Sequence, residues 1–259
     1  MITSKDNSKI KLARALQADS KTRRAEGAFV VEGIRLVEEA LISKWEITWA
    51  VYTDELGERG RVLIQDMIDR GISVEQVTSR IMHSASDTQT PQGVLAVVQN
   101  RSTPLPSKLD FVLIVDELRD PGNLGTMLRT ASAAGVGAVL LSAGSVDPFS
   151  PKVLRSAMGA HFRLPIDTLA WDQIRMEISK HGLAAYLATA DAGQPYTQLD
   201  FHRPTALIIG GEAAGASIQA QQVAIDRVYI PMPGGGESLN AAVAAAILMY
   251  EVVRQRKLQ

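Results

Sequence analysis

"RVYIPMPGGGESLNAAVAAAILMYE", residues 227–251, passes from a short apolar run through three consecutive glycines into an alanine-rich stretch. The run 228–230 suits a strand, and the alanines beyond Asn240 suit a helix. Between them stand an acid, a serine and an asparagine as well as the glycines. A strand that ends in such a corner and turns into a helix is the repeating unit of an α/β sheet. In such sheets ligands gather outside the carboxyl ends of the strands. The rest of the chain must say what this corner holds.

The same unit recurs upstream. "FVLIVDEL" (111–118), "AVLLSAG" (138–144), "AAYLATAD" (184–191) and "TALIIGGE" (205–212) are near-continuous apolar runs of the kind buried on both faces of a parallel sheet. Helical stretches lie between them, such as "GNLGTMLRTASAAG" (122–135) and "SPKVLRSAMGAHF" (150–162). Earlier in the chain, β-rich runs at 28–31, 47–52, 73–77 and 93–98 alternate with helical ones at 8–18, 33–43 and 59–70. "VVQNRSTPLPSKLD" (97–110) breaks this alternation with two prolines and reads as a linker. The expected organisation is a small α/β domain over 1–100, a linker at 101–109 and a parallel-sheet α/β domain over 110–259.

The 259 residues are 46% hydrophobic and 21% charged, ordinary values for a globular protein with a sizeable core. Without cysteine there is neither a disulfide framework nor a thiolate metal site. His83, His161, His181 and His202 have no close pairing, so no metal centre is expected. His161, His181 and His202 read as surface or satisfied positions rather than catalytic ones, and Trp45, Trp49 and Trp171 as core rather than base-stacking platforms. The amino terminus is polar and lacks the apolar core of a secretory signal, and the longest apolar run, 241–250, is about half a membrane span. A soluble cytoplasmic protein is expected. The net charge of −1 argues against chain-wide nucleic-acid binding, but residues 1–35 hold eight cations against four anions. That local excess makes Arg23, Arg24 and Arg35 candidates for a phosphate backbone, with a solvated helix face as the alternative.

The usual glycine loops can be eliminated in turn. No lysine follows a glycine in the Gly-x₄-Gly-Lys-Ser/Thr pattern of a nucleoside-triphosphate loop. "GGEAAG" (210–215) has the outer spacing of a dinucleotide fingerprint, but Glu212 stands at its middle glycine and would repel pyrophosphate. "GESLN" (236–240) nearly forms a nucleophile elbow, yet no histidine follows His202 to serve Ser238 as base. A cationic or neutral ligand survives this screen. S-adenosylmethionine has a sulfonium and an ammonium and no phosphate, and glycine loops could offer it bare backbone.

"DELRDPGNLGTMLRTASAAGV" (116–136), "LIIGGEAAGAS" (207–217) and "IPMPGGGESLNAAVAAAILMYE" (230–251) together resemble the three ordered motifs of the SpoU, or TrmH-type, RNA 2′-O-ribose methyltransferases. "VDPFSPKVLRSAMGAHFRLPI" (146–166) is similar to the family's connecting segment, and "FVVEGIRLVEEAL" (29–41) and "TPQGVLAVV" (90–98) to its amino-terminal RNA-binding domain. The resemblance covers nearly the whole chain. It implies an S-adenosylmethionine-dependent enzyme acting as a homodimer on structured RNA, ribosomal rather than transfer RNA, with a deep trefoil knot in the carboxy-terminal domain.

The resemblance further implies site residues. Asn123, Arg129, Glu212, Ser238 and Asn240 become the catalytic set, and Gly210, Gly211, Ile230, Met232, Ser238 and Leu239 the cofactor cradle. Arg129 also becomes an RNA contact beside Arg23, Arg24 and Arg35. The family reading makes Arg129 a base or activator, but a guanidinium stays protonated, so a clamp on phosphate and on developing alkoxide charge is expected. Asn123 is expected to cap its helix and orient Arg129 or substrate, and Glu212 to cap or to bond that cluster. Ser238 is expected to cap the last helix, leaving Asn240 inside its first turn and free to bond Arg129 or RNA. Three rivals stand beside this reading: a non-catalytic RNA-binding protein that keeps the fold, a knotted methyltransferase of tRNA or of a base, and a resistance enzyme methylating one ribosomal ribose.

Overall fold

Short apolar strands and amphipathic helices alternate along the whole chain, and they sort into two units. The computed structural model describes residues 1–257 except 102, 191 and 212–214. In chain order the first elements are α1 (Ser8–Ala18), α2 (Ser20–Glu26), β1 (Ala28–Glu32), α3 (Ile34–Ile42), β2 (Ile47–Tyr52), α4 (Glu58–Asp69), β3 (Ser73–Gln76), α5 (Ser79–Ala85) and β4 (Val94–Gln99). There follow β5 (Phe111–Asp116), α6 (Pro121–Ala134), β6 (Ala138–Ser142), α7 (Pro151–Ala157), β7 (Ile166–Leu169), α8 (Trp171–His181), β8 (Ala184–Thr189) and β9 (Gln194–Pro195). The chain ends with β10 (Thr205–Gly210), α9 (Ile218–Val223), β11 (Asp226–Tyr229) and α10 (Ala241–Lys257).

The first unit comprises Met1–Arg101 and Phe149–Phe162. Its sheet runs β1-β4-β2-β3, antiparallel except for the parallel β2–β3 pair. Side chains alternate across a strand, so Phe29 and Val31 of β1 enter one core while Ala28 and Val30 enter the other. The first core also takes Leu154 and Phe162 from the second half of the sequence. The Phe29 ring lies 4.8 Å from that of Phe149, and Trp45 meets Phe162 edge-on at 5.4 Å while its indole N–H donates to the Phe162 carbonyl at 3.3 Å. An uninterrupted domain over 110–259 does not contain this arrangement. Sequence adjacency hides it, because burial of Phe149, Leu154 and Phe162 decides where the segment packs.

Arg23 departs from its expected role. It is 7% exposed, and its Nη1 donates to the carbonyls of Leu16 at 2.5 Å and Gln17 at 3.2 Å. Those carbonyls belong to the last turn of α1, where no intrahelical donor remains, so the guanidinium caps a helix and is withdrawn from phosphate. Lys9 and Lys11 are engaged with Glu75 and Asp6. Arg24 and Arg35 are exposed.

The second unit comprises 102–148 and 163–259. Among its described residues one sheet runs β7-β6-β5-β10-β8-β11-β9, and every registered pair is parallel. β5 and β6 are buried throughout. This is the pattern the apolar runs demand, since a strand buried on both faces needs no polar alternation. α6 and α10 pack on each other, and α10 also packs on β10. His181 is a structural residue: its Nδ1 accepts from Leu109 N–H at 3.2 Å and its Nε2 faces Glu177 at 3.2 Å. No described helix is long and apolar enough to cross a membrane.

Near its end α10 carries Glu251, 6% exposed, which accepts from Arg254 at 2.7 and 2.8 Å and from Gln255 Nε2 at 2.8 Å. The Arg254 guanidinium, first, and Gln255 hold its carboxyl below the ordinary 4.5, against the opposing effect of burial. A depressed carboxyl contributes stability above its unfolded value and loses it as pH falls through its folded one. Unfolding followed by circular dichroism below about pH 4.5 is therefore expected to show a shallower acid loss in Glu251→Gln than in wild type. Arg23→Ala is expected to cost about 1–3 kcal/mol by denaturant titration, while Arg24→Ala stays within about 0.5 kcal/mol. Equal stabilities would return Arg23 to the surface.

Candidate functional site

The carboxyl ends of β8, β10 and β11 open into a cavity of about 560 Å³. Its walls include Leu187–Ala190 at the end of β8, Ile209–Gly211 at the end of β10 with Gly215 and Ala216 beyond it, and Ile230 and Met232 after β11. Ser238, Leu239 and Asn240, exposed ahead of α10, complete it. Gly210, Gly211, Ile230, Met232, Ser238 and Leu239 all line this one space. The volume is that of a small-molecule site, and its walls are mostly backbone, small side chains and aliphatic surface.

The glycines at its floor are required by crowding. A Cβ on Gly211 would lie 2.7 Å from the Glu117 carbonyl oxygen, and one on Gly210 would lie 2.9 Å from Ala216 N. Gly211 and Gly215 bridge to each other and pinch the neck of the loop between them. Glu212 lies within that loop, outside the described residues.

The junction is held from beneath by Asp116, at the end of β5, with no exposed surface. Asp116 pairs in register with Gly210. One carboxyl oxygen accepts from Ser142 Oγ at 2.8 Å and the other from Ser217 N–H at 2.7 Å. Ser142 Oγ in turn accepts from Glu117 N–H at 3.0 Å, and Ser217 caps α9 by accepting from Ala220 N–H. Sequence reasoning missed Asp116, Ser142 and Ser217. Their signal was weak but present: a polar residue closes an otherwise apolar strand in "FVLIVD" and "AVLLS".

The helix caps differ from expectation. Asp120, not Asn123, caps α6, its Oδ1 accepting from Asn123 N–H at 2.7 Å, with Pro121 following as the first helical residue. Asn240, not Ser238, caps α10. Its Oδ1 accepts from the N–H groups of Ala242 at 2.9 Å and Val243 at 3.2 Å. The shift has a simple cause: α10 begins at Ala241, so Asn240 lies just ahead of the first turn rather than inside it. The other end of the same side chain, Nδ2, donates to Asn123 Oδ1 at 3.0 Å. Asn123 and Asn240, 117 positions apart, thus join the starts of α6 and α10.

Arg129 is exposed on α6, lies outside the cavity lining, and makes no ion pair among the described residues. A step of six residues turns a helix by about 240°, so Arg129 leaves the face that Asn123 presents to Asn240. Thr189, Gln221 and Arg227 line the cavity without having been named from sequence. None of the four histidines lines it, and the described residues contain no cluster of three His, Cys, Asp or Glu side chains able to hold a metal.

Residues 110–250 match the family described as SpoU rRNA Methylase, and residues 7–96 match an MRM3-like substrate binding domain. The chain is 36% identical to the 23S rRNA (guanosine(2553)-2′-O)-methyltransferase RlmP of Bacillus subtilis, over 97% of its own length and 98% of that relative's. It superposes on the SpoU methyltransferase AviRb from Streptomyces viridochromogenes, solved in complex with the cofactor AdoMet. That match has TM-score 0.88 and 27% identity, covering 98% of this chain and all of that one. An AdoMet-bound rRNA methyltransferase from Sinorhizobium meliloti gives TM-score 0.86 at 31% identity, covering 98% and 97% of the two chains.

Asp116→Ala removes the acceptor of the half-buried Ser217 N–H and of Ser142 Oγ, at a cost of about 1–3 kcal/mol. Hydrogen exchange is expected to accelerate in 215–220 of this variant, with exchange in the first unit unchanged. Unaltered exchange at the start of α9 would remove Asp116 from the support of the cavity.

Proposed function

The chain belongs to the SpoU rRNA methylase family, and we propose that it methylates a ribose 2′-hydroxyl of ribosomal RNA with S-adenosylmethionine as donor. One observation carries this reading: the cavity at the carboxyl ends of β8, β10 and β11, walled by glycine backbone, with Ser238 and Asn240 on its exposed side. The donor fits those walls. Bare backbone at Gly210 and Gly211 suits an adenosine's polar edges, and Leu187, Ile209, Ile230 and Leu239 suit its flat faces.

When bound, S-adenosylmethionine supplies an electrophilic methyl carbon on a positively charged sulfur. The protein's own work is to aim the ribose oxygen at that carbon and to help the hydroxyl lose its proton. Asn123 and Asn240 hold each other and so fix where the two helix starts stand. Ser238, exposed on the cavity, offers a hydroxyl to the ribose. Arg129, as a guanidinium, clamps the neighbouring RNA phosphate and stabilises developing alkoxide charge rather than acting as the base, and the hydroxyl proton leaves to water or to the phosphate as the oxygen–methyl bond forms and the sulfur–methyl bond breaks.

The first unit binds the RNA, with Arg24 and Arg35 on its phosphates; the match of 7–96 to a substrate binding domain supports this. The working form is a homodimer, supported by the exposed Val243 and Tyr250, seven residues apart on one side of α10. The second unit carries a deep trefoil knot, supported by the position of β10 between β5 and β8. Its place of action is the cytoplasm, with the ribosomal RNA.

Mass spectrometry of digested ribosomal RNA after reaction with labelled donor tests the proposal. The label is expected on the sugar; a label on a base would overturn the 2′-hydroxyl assignment, and donor binding without transfer to any RNA would favour a non-catalytic binder. Arg129→Ala is expected to lower turnover about 10²–10³-fold with donor affinity near wild type. Unchanged turnover would remove this arginine from the mechanism.

A further inference from the structure

Among the described residues that line the cavity Arg227 is the one with a charged side chain. It makes no ion pair with a described carboxylate. The neighbouring Asp226 is already engaged, its Oδ2 by Gln194 Nε2 at 2.8 Å and its Oδ1 by Arg227 N–H at 2.7 Å. A guanidinium that faces a ligand site and has no partner among the described acids is suited to receive an anion.

Its position is set from two sides. Gly193, at φ 97°, lies so close to β11 that a Cβ there would fall 2.1 Å from the Arg227 carbonyl oxygen. Only glycine permits that approach, and it presses the chain after β8 onto the Arg227 backbone. Along the side chain, Nη2 donates to Gln221 Oε1 at 3.5 Å, a long contact, while Gln221 Nε2 donates to the Ala216 carbonyl at 3.1 Å. Gln221 and Ala216 both line the cavity. The guanidinium is therefore tethered at the cavity wall with most of its donors unused.

The donor named above carries three ionic groups, a sulfonium, an ammonium and a carboxylate, and only the last is negative. We infer that Arg227 receives the α-carboxylate of the donor's methionine end and that Gln221 orients the guanidinium for it. The inference rests on the reading that this cavity takes S-adenosylmethionine. Arg227 is a donor-binding residue and Gln221 a positioning one: with the adenosine fixed in the cradle, a second hold on the far end of the methionine chain limits where the methyl between them can point.

Calorimetry separates this role from its rivals. Wild type, Arg227→Gln and Arg227→Lys are titrated with S-adenosylmethionine and S-adenosylhomocysteine. They are also titrated with two analogues that lack the carboxylate, decarboxylated S-adenosylmethionine and 5′-methylthioadenosine. Arg227→Gln is expected to weaken the first two about five- to thirtyfold, a range that allows for an exposed pair. It should bind the other two as wild type does, which also shows that the variant is folded. Arg227→Lys should fall between. Equal weakening of all four ligands, or of none, would overturn the inference, as would a variant that loses affinity only for ribosomal RNA. A wild type that bound none of the four would overturn the donor-binding reading itself and this inference with it.

Discussion

The second unit turns on a carboxyl group with no access to water. Asp116 sits where β5 ends, and its two oxygens tie β6, through Ser142, to the start of α9, through the Ser217 amide. A buried polar group of this kind is costly unless every partner is in place, so it tolerates one arrangement of its neighbours and resists others. Gly210 and Gly211 can then abut the chain at 116–117, and the loop from Gly211 to Gly215 closes at its neck. The residue after Asp116, Glu117, takes a left-handed φ of 49°, a conformation that the network around it holds in place. The cavity floor is thus a consequence of how one side chain is satisfied.

Above that floor the geometry is set by two helix starts. Asn240 divides its side chain between capping α10 and bonding Asn123 on α6. Capping alone would be served by many residues; serving both ends needs an amide, with an acceptor and donors on one group. The two helices pack on each other, so the orientation of the glycine corner ahead of α10 is coupled to the "DPGN" turn ahead of α6. In the proposed reaction this coupling sets the ribose site against the cofactor cradle.

The fold was largely legible because buried parallel strands leave an unmistakable record. "FVLIVD", "AVLLS" and "TALIIG" are apolar on both faces, and helices separate them. The short β7 and β9 and the helix α9 left no such record and were not anticipated. The segment 149–162 packs with the first unit because its aromatic residues find their partners far off in sequence, at Phe29 and Trp45, which adjacency in the chain does not reveal. In the site, the residues whose backbone forms the walls were found through glycine and motif order. Residues that act by tertiary hydrogen bonding were not: Asp116 merely closes an apolar run, Arg23 stands in a cluster of cations that suits a phosphate backbone, and Arg227 precedes the apolar run 228–230. Charge and propensity describe a residue alone, whereas these roles are defined by a partner about a hundred positions away or in the preceding helix.

Methyl transfer by this chain requires that the cavity at the ends of β8, β10 and β11 be a donor site. A crystal structure of this chain with S-adenosylhomocysteine tests it most directly. The account predicts the adenosine against Gly210, Ile230 and Leu239, with the sulfur turned toward Ser238 and Asn240. A nucleoside bound elsewhere on the chain, or a cavity left empty at saturating ligand, would contradict it.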